Sequence, residues 1–325
     1  MFMNVADFLE EWNNDNTFVE VHTSGSTGKP KIIRAEKERM VASAEMTCDF
    51  LHLKKGDSAL LCMDLRHIGA KMIVVRSIVR ELRLIEVAAC GHPLAGLSEV
   101  PDFAAMVPLQ VYNSLQNEIE RESLKKIKNL IIGGGAIDDR MLAELKGFPN
   151  AVWSTYGMTE TLSHIALRRL NGDTASDWYT PFEGVRLRLN EQGRLCIYAP
   201  SVCEVELVTN DVAHINENGC FQIIGRSDNT INSGGVKIQI EEVEKLLGQT
   251  PTSEFAIGAL PDEKFGQIIA LLTTDYAYSN IRDRINILPK YWIPRKVVFC
   301  DVLPRTINGK IDRKGVEELL RKGSL

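Results

Sequence analysis

"HTSGSTGKPKII", residues 22–33, packs small residues, hydroxyls and two lysines between β-like runs at 17–21 and 31–34. Small side chains let backbone N–H groups approach an anion, and Thr23, Ser24, Ser26 and Thr27 add hydroxyl donors. Taken alone, the stretch fits a flexible polar loop as well as a phosphate cradle. A Walker A loop is excluded, because G-x-x-x-x-G-K-[ST] spacing puts Thr23 at the first glycine and Pro30 at the magnesium-binding hydroxyl. A Walker loop also feeds a helix N-terminus, whereas Pro30 leads into a β-like run.

The rest of the chain narrows the class. With 325 residues, 44% hydrophobic and 25% charged, it has enough apolar sequence for a sizeable core in two or three domains. A net charge of -5 argues against a nucleic-acid scaffold, which needs a concentrated basic face. The seven cysteines (48, 62, 90, 196, 203, 220 and 300) form no C-x-x-C pair, so reduced structural thiols are expected rather than a zinc site. The acidic, polar-interrupted start is unlike a signal peptide, and no apolar run approaches the roughly 18 residues of a membrane span. A cytoplasmic protein is therefore expected.

Apolar runs at 59–63, 82–87, 130–132 and 151–153 alternate with helical or glycine-rich segments, which indicates an α/β domain with a largely buried sheet. Met40, Ala44, Cys48 and Leu51 recur at helical spacing within 36–51. "GGGA" (133–136) and "STYGMTE" (154–160) follow buried runs, where open α/β sheets collect ligands. As a dinucleotide fingerprint "GGGA" fails, because Asp138 stands where a third glycine or alanine belongs. After about residue 181 short alternating strands (185–190, 193–199) suggest a small β subdomain. Beyond "GRSDN" (225–229) a helix carrying Ile240, Val243, Leu246 and Leu247 and runs at 255–260 and 268–273 indicate an α+β domain.

In sequence order, "HTSGSTGKPK", "RHIGA" (66–70), "GGGA", "YGMTE" (156–160), "GRLCIYAP" (193–200), "TND" (209–211), "GRSDNTINSGGVKIQIEEVE" (225–244) and "LPRTINGKIDR" (303–313) resemble the motifs of the adenylate-forming enzyme superfamily. The resemblance implies a large adenylation domain over 1–226, with the β subdomain at about 181–226, and a mobile C-terminal α+β domain over 227–325. The hinge would lie near Asp228. It implies two half-reactions: a carboxylate and Mg·ATP give acyl-adenylate and pyrophosphate, then a thiol, usually coenzyme A, displaces AMP. Thr23, Ser24, Gly25, Ser26, Thr27, Gly28 and Lys29 would clamp ATP's phosphates, and Gly134, Tyr156, Gly157, Asp211 and Arg226 would complete the nucleotide site.

The residue types suit those roles. Tyr156 offers a ring for stacking, Thr159 a hydroxyl for the α-phosphate and Glu160 an oxygen ligand for Mg²⁺. Asp211 can accept two ribose hydroxyls, and Arg226 adds a donor. Read singly, Glu160 is a solvated carboxylate and Asp211 a turn residue. By resemblance Lys310 bridges the acid's carboxylate and the α-phosphate, where a cation stabilises charge that builds in the transition state. Ser233, Gly234 and Gly235 would face the incoming thiol, and His67, Gly133 and Gly135 the acid.

Only 21 residues precede the opening stretch, so the resemblance implies an N-terminally shortened core whose exposed surface a homo-oligomer would cover. Asn232 stands where many relatives carry lysine. "RHIGA", the "SGG" turn and the brevity resemble the o-succinylbenzoate–CoA ligases of menaquinone synthesis. A ligase for another aryl or fatty acid, a carrier-protein-loading enzyme, or an inactive nucleotide-binding regulatory or scaffold protein are the alternatives.

Overall fold

Side chains that accept otherwise unpaired backbone N–H groups set where several helices start. The computed structural model describes residues 3–22, 32–135, 137–248, 254–276, 285, 288–305 and 311–323. Asn4 caps α1 (Val5–Asn13) by accepting Asp7 N–H at 2.9 Å, and Asp7 accepts Asn4 N–H at 3.0 Å. β1 (Phe18–His22) and β2 (Ile32–Glu36) then pair antiparallel, with Phe18 opposite Glu36 and His22 opposite Ile32. The opening stretch thus spans the connection of a hairpin, and α2 (Lys37–Phe50) follows directly.

A seven-stranded sheet carries the first part of the chain. Its members are β3 (Ser58–Leu61), β4 (Arg83–Glu86), β5 (Phe103–Met106), β6 (Asn129–Ile132), β7 (Ala151–Gly157), β8 (His164–Arg169) and β9 (Thr180–Pro181), in the order β4-β3-β5-β6-β7-β8-β9. The first five in that order run parallel, and β8 and β9 turn antiparallel. Parallel strands need crossovers, supplied by α3 (Ile68–Arg80), α4 (Pro108–Gln116), α5 (Glu118–Lys126) and α6 (Asp139–Leu145). Leu60, Ala104, Met106, Leu130, Ile132 and Val152 line the core beneath these helices. At the strand starts Ser58 donates its N–H and hydroxyl to Asp102 at 2.7 and 2.8 Å, and Lys128 Nζ lies 2.6 Å away. Burial raises the Asp102 carboxyl, and these bonds outweigh it, holding it at about 2.

The next four strands, β10 (Arg186–Leu189), β11 (Arg194–Tyr198), β12 (Leu207–Ile215) and β13 (Phe221–Arg226), follow sequence order in one sheet. β14 (Thr230–Ser233), β15 (Val236–Gln239), β16 (Phe255–Asp262), β17 (Gly266–Thr273) and β18 (Lys296–Phe299) form another, ordered β15-β14-β17-β16 with β18 on β17. α7 (Ile240–Leu247) and the helix Arg313–Lys322 pack on it through Ile240, Val243, Leu247, Val316 and Leu320.

Two compact units result. One comprises Met1–Arg188, Cys196–Leu207 and Ile215–Gln222; the other comprises Leu189–Leu195, Val208–His214 and Ile223–Leu325. No helix among the described residues is long and apolar enough to cross a membrane.

Candidate active site

In the first unit the sequence-selected residues gather beyond the carboxyl ends of the parallel strands, where open α/β sheets bind ligands. His67 is the exposed N-terminal cap of α3. Gly133 follows β6 and donates its N–H to Met106 O at 3.1 Å. A Cβ there would stand 2.4 Å from Thr155 Oγ1, and Gly134 has φ +78°, so both positions need glycine. Gly135 follows them, and Ala136 lies outside the described residues.

Ser154, Thr155, Tyr156 and Gly157 are the last residues of β7, held there by antiparallel pairing with β8. The Tyr156 ring packs edge-on against Phe221 at 5.0 Å and lies 5.8 Å from Tyr179. A Cβ on Gly157 would collide with Ser163 O at 2.3 Å and His164 Cα at 2.4 Å. Only glycine lets the chain double back there. The 159–161 turn exposes Glu160 and leaves Thr159 half-buried. Buried Thr161 locks the turn: its hydroxyl accepts Met158 N–H at 3.0 Å and donates to Ser163 O at 2.7 Å. Leu162 follows at φ +63°, a conformation costing a non-glycine residue about 1–3 kcal/mol.

Behind this turn lies a polar cluster that sequence reasoning missed. Arg76, on α3 and 1% exposed, donates from Nη2 to Ser163 Oγ at 2.8 Å and Thr47 Oγ1 at 3.2 Å. Thr47 donates to Ser43 O at 3.1 Å, so it accepts from His164 Nε2 at 3.1 Å, leaving His164 Nδ1 to accept from Ser163 Oγ at 3.2 Å. Burial, then the charge of Arg76, lowers His164 well below the ordinary histidine value, so it is neutral. No Asp or Glu among the described residues pairs with Arg76, whose Nε has no partner, and burial pushes the guanidinium down to about 10.

The second unit holds the other set. Asp211 lies within strand β12 rather than in a turn, and its Oδ1 accepts Arg226 Nη1 at 3.3 Å. Arg226, at the end of β13, also meets Asp228 through Nε at 3.2 Å and Nη2 at 3.3 Å. Burial lowers the guanidinium, and the Asp228 and Asp211 carboxylates outweigh it, leaving it raised. Asp228 is exposed on the short turn 227–229, whose last residue, Asn229, donates to Glu241 Oε1 at 2.5 Å. Ser233 is buried at the end of β14, and Gly234 and Gly235 turn into β15 with φ +59° and +84°. Two successive positive φ values are the signature of a tight hairpin that glycine permits.

Thr23, Ser24, Gly25, Ser26, Thr27, Gly28, Lys29 and Lys310 lie outside the described residues. Among described residues no group of three or more His, Cys, Asp or Glu side chains could hold a metal. Mg²⁺ bound through one carboxylate and substrate phosphates needs no such cage, and exposed Glu160 fits that arrangement.

Comparison with known proteins bears on the family and the fold. The profile of the family described as AMP-binding enzyme matches residues 6–204. The chain is 26% identical over 353 residues to a 2-succinylbenzoate–CoA ligase of Geobacillus sp. (strain WCH70), covering 97% of this chain and 71% of that protein. A solved acyl-CoA synthetase (AMP-forming)/AMP-acid ligase II-like protein from Dyadobacter fermentans DSM 18053 is 32% identical at a TM-score of 0.67, covering 98% of this chain and 93% of that one. The o-succinylbenzoate coenzyme A synthetase of Bacillus subtilis, solved with ATP and magnesium ion, shares the fold at 21% identity and a TM-score of 0.74, over 92% of this chain and 69% of that one.

Proposed function

Because the chain belongs to the AMP-binding enzyme family, that of AMP-forming acyl-CoA synthetases and ligases, we propose that it is the cytoplasmic ligase that converts o-succinylbenzoate to o-succinylbenzoyl-CoA in menaquinone synthesis. Two observations support this acid. The 2-succinylbenzoate–CoA ligase of Geobacillus resembles the chain over nearly its whole length. The observation that carries the choice is Arg76, a buried guanidinium with no acid partner among the described residues. It bonds Ser163, whose backbone packs on Gly157. An acid with one carboxylate to activate and a second to anchor matches that cation.

In this reading residues 23–29 hold the β- and γ-phosphates. The Tyr156 ring stacks on adenine beside Gly134 and Gly157, and Thr159 donates to the α-phosphate. Asp211 accepts the ribose hydroxyls, and Arg226 supports it. Glu160 holds Mg²⁺, which when bound neutralises phosphate charge. His67, Gly133 and Gly135 line the acid site. Lys310 neutralises the two anions as the carboxylate oxygen attacks the α-phosphorus and pyrophosphate leaves. Rotation about Asp228 then withdraws Lys310 and brings Ser233, Gly234 and Gly235 to the thiol of coenzyme A, which displaces AMP. Lys310→Ala is expected to lose about 10² to 10³ in adenylation rate while retaining thioesterification of supplied acyl-adenylate; equal loss of both contradicts the rotation.

The test is ATP–pyrophosphate exchange with o-succinylbenzoate, benzoate, malonate and a medium-chain fatty acid. Fastest exchange with o-succinylbenzoate is expected. Preference for a fatty acid overturns the acid assignment, and no exchange with any acid favours a nucleotide-binding scaffold.

A further inference from the structure

Lys71 is 2% exposed on α3, one turn after His67, in a position where a lysine must be fully partnered. Its Nζ lies 2.9 Å from Glu11 Oε2, donates to Glu20 O at 3.0 Å and sits 5.2 Å from the Phe8 ring centroid. The other Glu11 oxygen accepts Glu20 N–H at 3.0 Å. Both backbone polar groups of Glu20 are therefore taken by one ion pair, which serves β1 as a neighbouring strand would. The hairpin β1–β2 forms a sheet of only two strands, an arrangement marginal in water unless anchored. Glu20 stands two residues before His22, where β1 ends and the 23–31 segment begins. The same helix carries Arg76, bonded to Ser163 behind the Tyr156 to Glu160 motif.

We infer that Lys71 and Glu11 are positioning residues for ATP: their ion pair fixes the hairpin that bears the phosphate-binding segment to α3, the helix that also mounts Arg76. The inference rests on the proposed role of residues 23–29. Misplacing a binding group by about 1 Å costs up to 10²-fold, whereas the acid site keeps its own mounting.

The experiment compares wild type, Lys71→Met and Glu11→Gln by calorimetry with MgATP, by exchange kinetics, and by amide hydrogen exchange across residues 18–36. Lys71→Met is expected to weaken MgATP binding about tenfold or more, leave KM for the acid unchanged, and speed exchange in 18–36 but not in β3 or β5. Glu11→Gln, which keeps the shape and loses the charge, is expected to do the same more weakly; it decides the matter if Lys71→Met does not fold. MgATP affinity within twofold of wild type in a folded variant overturns the inference and leaves the proposed function standing. Failure of wild type itself to bind MgATP overturns both.

Discussion

Arg76, 1% exposed, donates to two hydroxyls and pairs with no carboxylate among the described residues, whereas Arg226, with 43% of its side chain exposed, meets both Asp211 and Asp228. The first arrangement is costly: burial moves the guanidinium from 12.5 to about 10, and the nearby Cys48 opposes that only in part. Such a cation is a weak source of stability, since a buried charge without a counter-ion carries a large desolvation penalty. The second arrangement is cheap, because exposed ion pairs contribute about 0–1 kcal/mol and exchange partners freely. In the proposed function the first guanidinium is held for the acid's second carboxylate. The other sits next to the proposed hinge, where bonds must be made and broken at little expense.

The contrast can be broken most sharply at Arg76. Arg76→Ala is expected to lower kcat/KM for an acid with a second carboxylate by about 100-fold, the order seen when one partner of a buried charged hydrogen bond is removed. Exchange with a monocarboxylic aryl acid should change less than threefold. Equal losses for both acids would make Arg76 a general structural element. Stability separates the same alternatives: a shift from 12.5 to about 10 corresponds to about 3 kcal/mol against the charged form. Its two charge-assisted hydrogen bonds return about 1.5–3 kcal/mol each. Arg76→Met is therefore expected to lose no more than about 3 kcal/mol of resistance to urea, and a larger loss would contradict the account.

His164 sharpens the picture through pH. Its folded-state pKa is depressed, by burial first and Arg76 second, so below about 6.5 the unfolded chain takes up a proton that the folded chain refuses. This contribution to stability is fully present above that value. It falls with decreasing pH by at most about 1.4 kcal/mol per unit. Urea titrations from pH 7.5 to 5 of wild type and His164→Gln should differ by that slope, and identical slopes would show that His164 protonates normally. The smallest effect belongs to Asp228→Asn, which should change stability by less than about 1 kcal/mol because its partner is exposed and retains Asp211. A larger loss would mean that the Arg226 cluster is structural rather than exchangeable.

These two arginines also mark what the sequence could reveal. The strands were legible as apolar runs: 130–132 and 255–260 fall within β6 and β16, and the opening stretch lies between paired strands. The helix α3 was not, because every residue from Ala70 to Ser77 is buried and the segment lacks the polar face that gives a helix its period. Lys71 and Arg76 sit in that apolar run, where either reads as an ordinary surface charge. Only their bonds to α1, α2 and Ser163 make them exceptional. Asp211 and Arg226 could be named from their motifs, and their separation of 3.3 Å follows from the pairing of the neighbouring strands β12 and β13. The missed strand β5, "FAAM", carries two alanines and no β-branched residue, so it gives little strand signal.

The most direct test of the account follows the products of purified protein incubated with o-succinylbenzoate, MgATP and coenzyme A, by mass spectrometry and nucleotide chromatography. The account predicts o-succinylbenzoyl-CoA, AMP and pyrophosphate in equal amounts. Appearance of ADP, or a coenzyme A ester from another acid but none from o-succinylbenzoate, would contradict it.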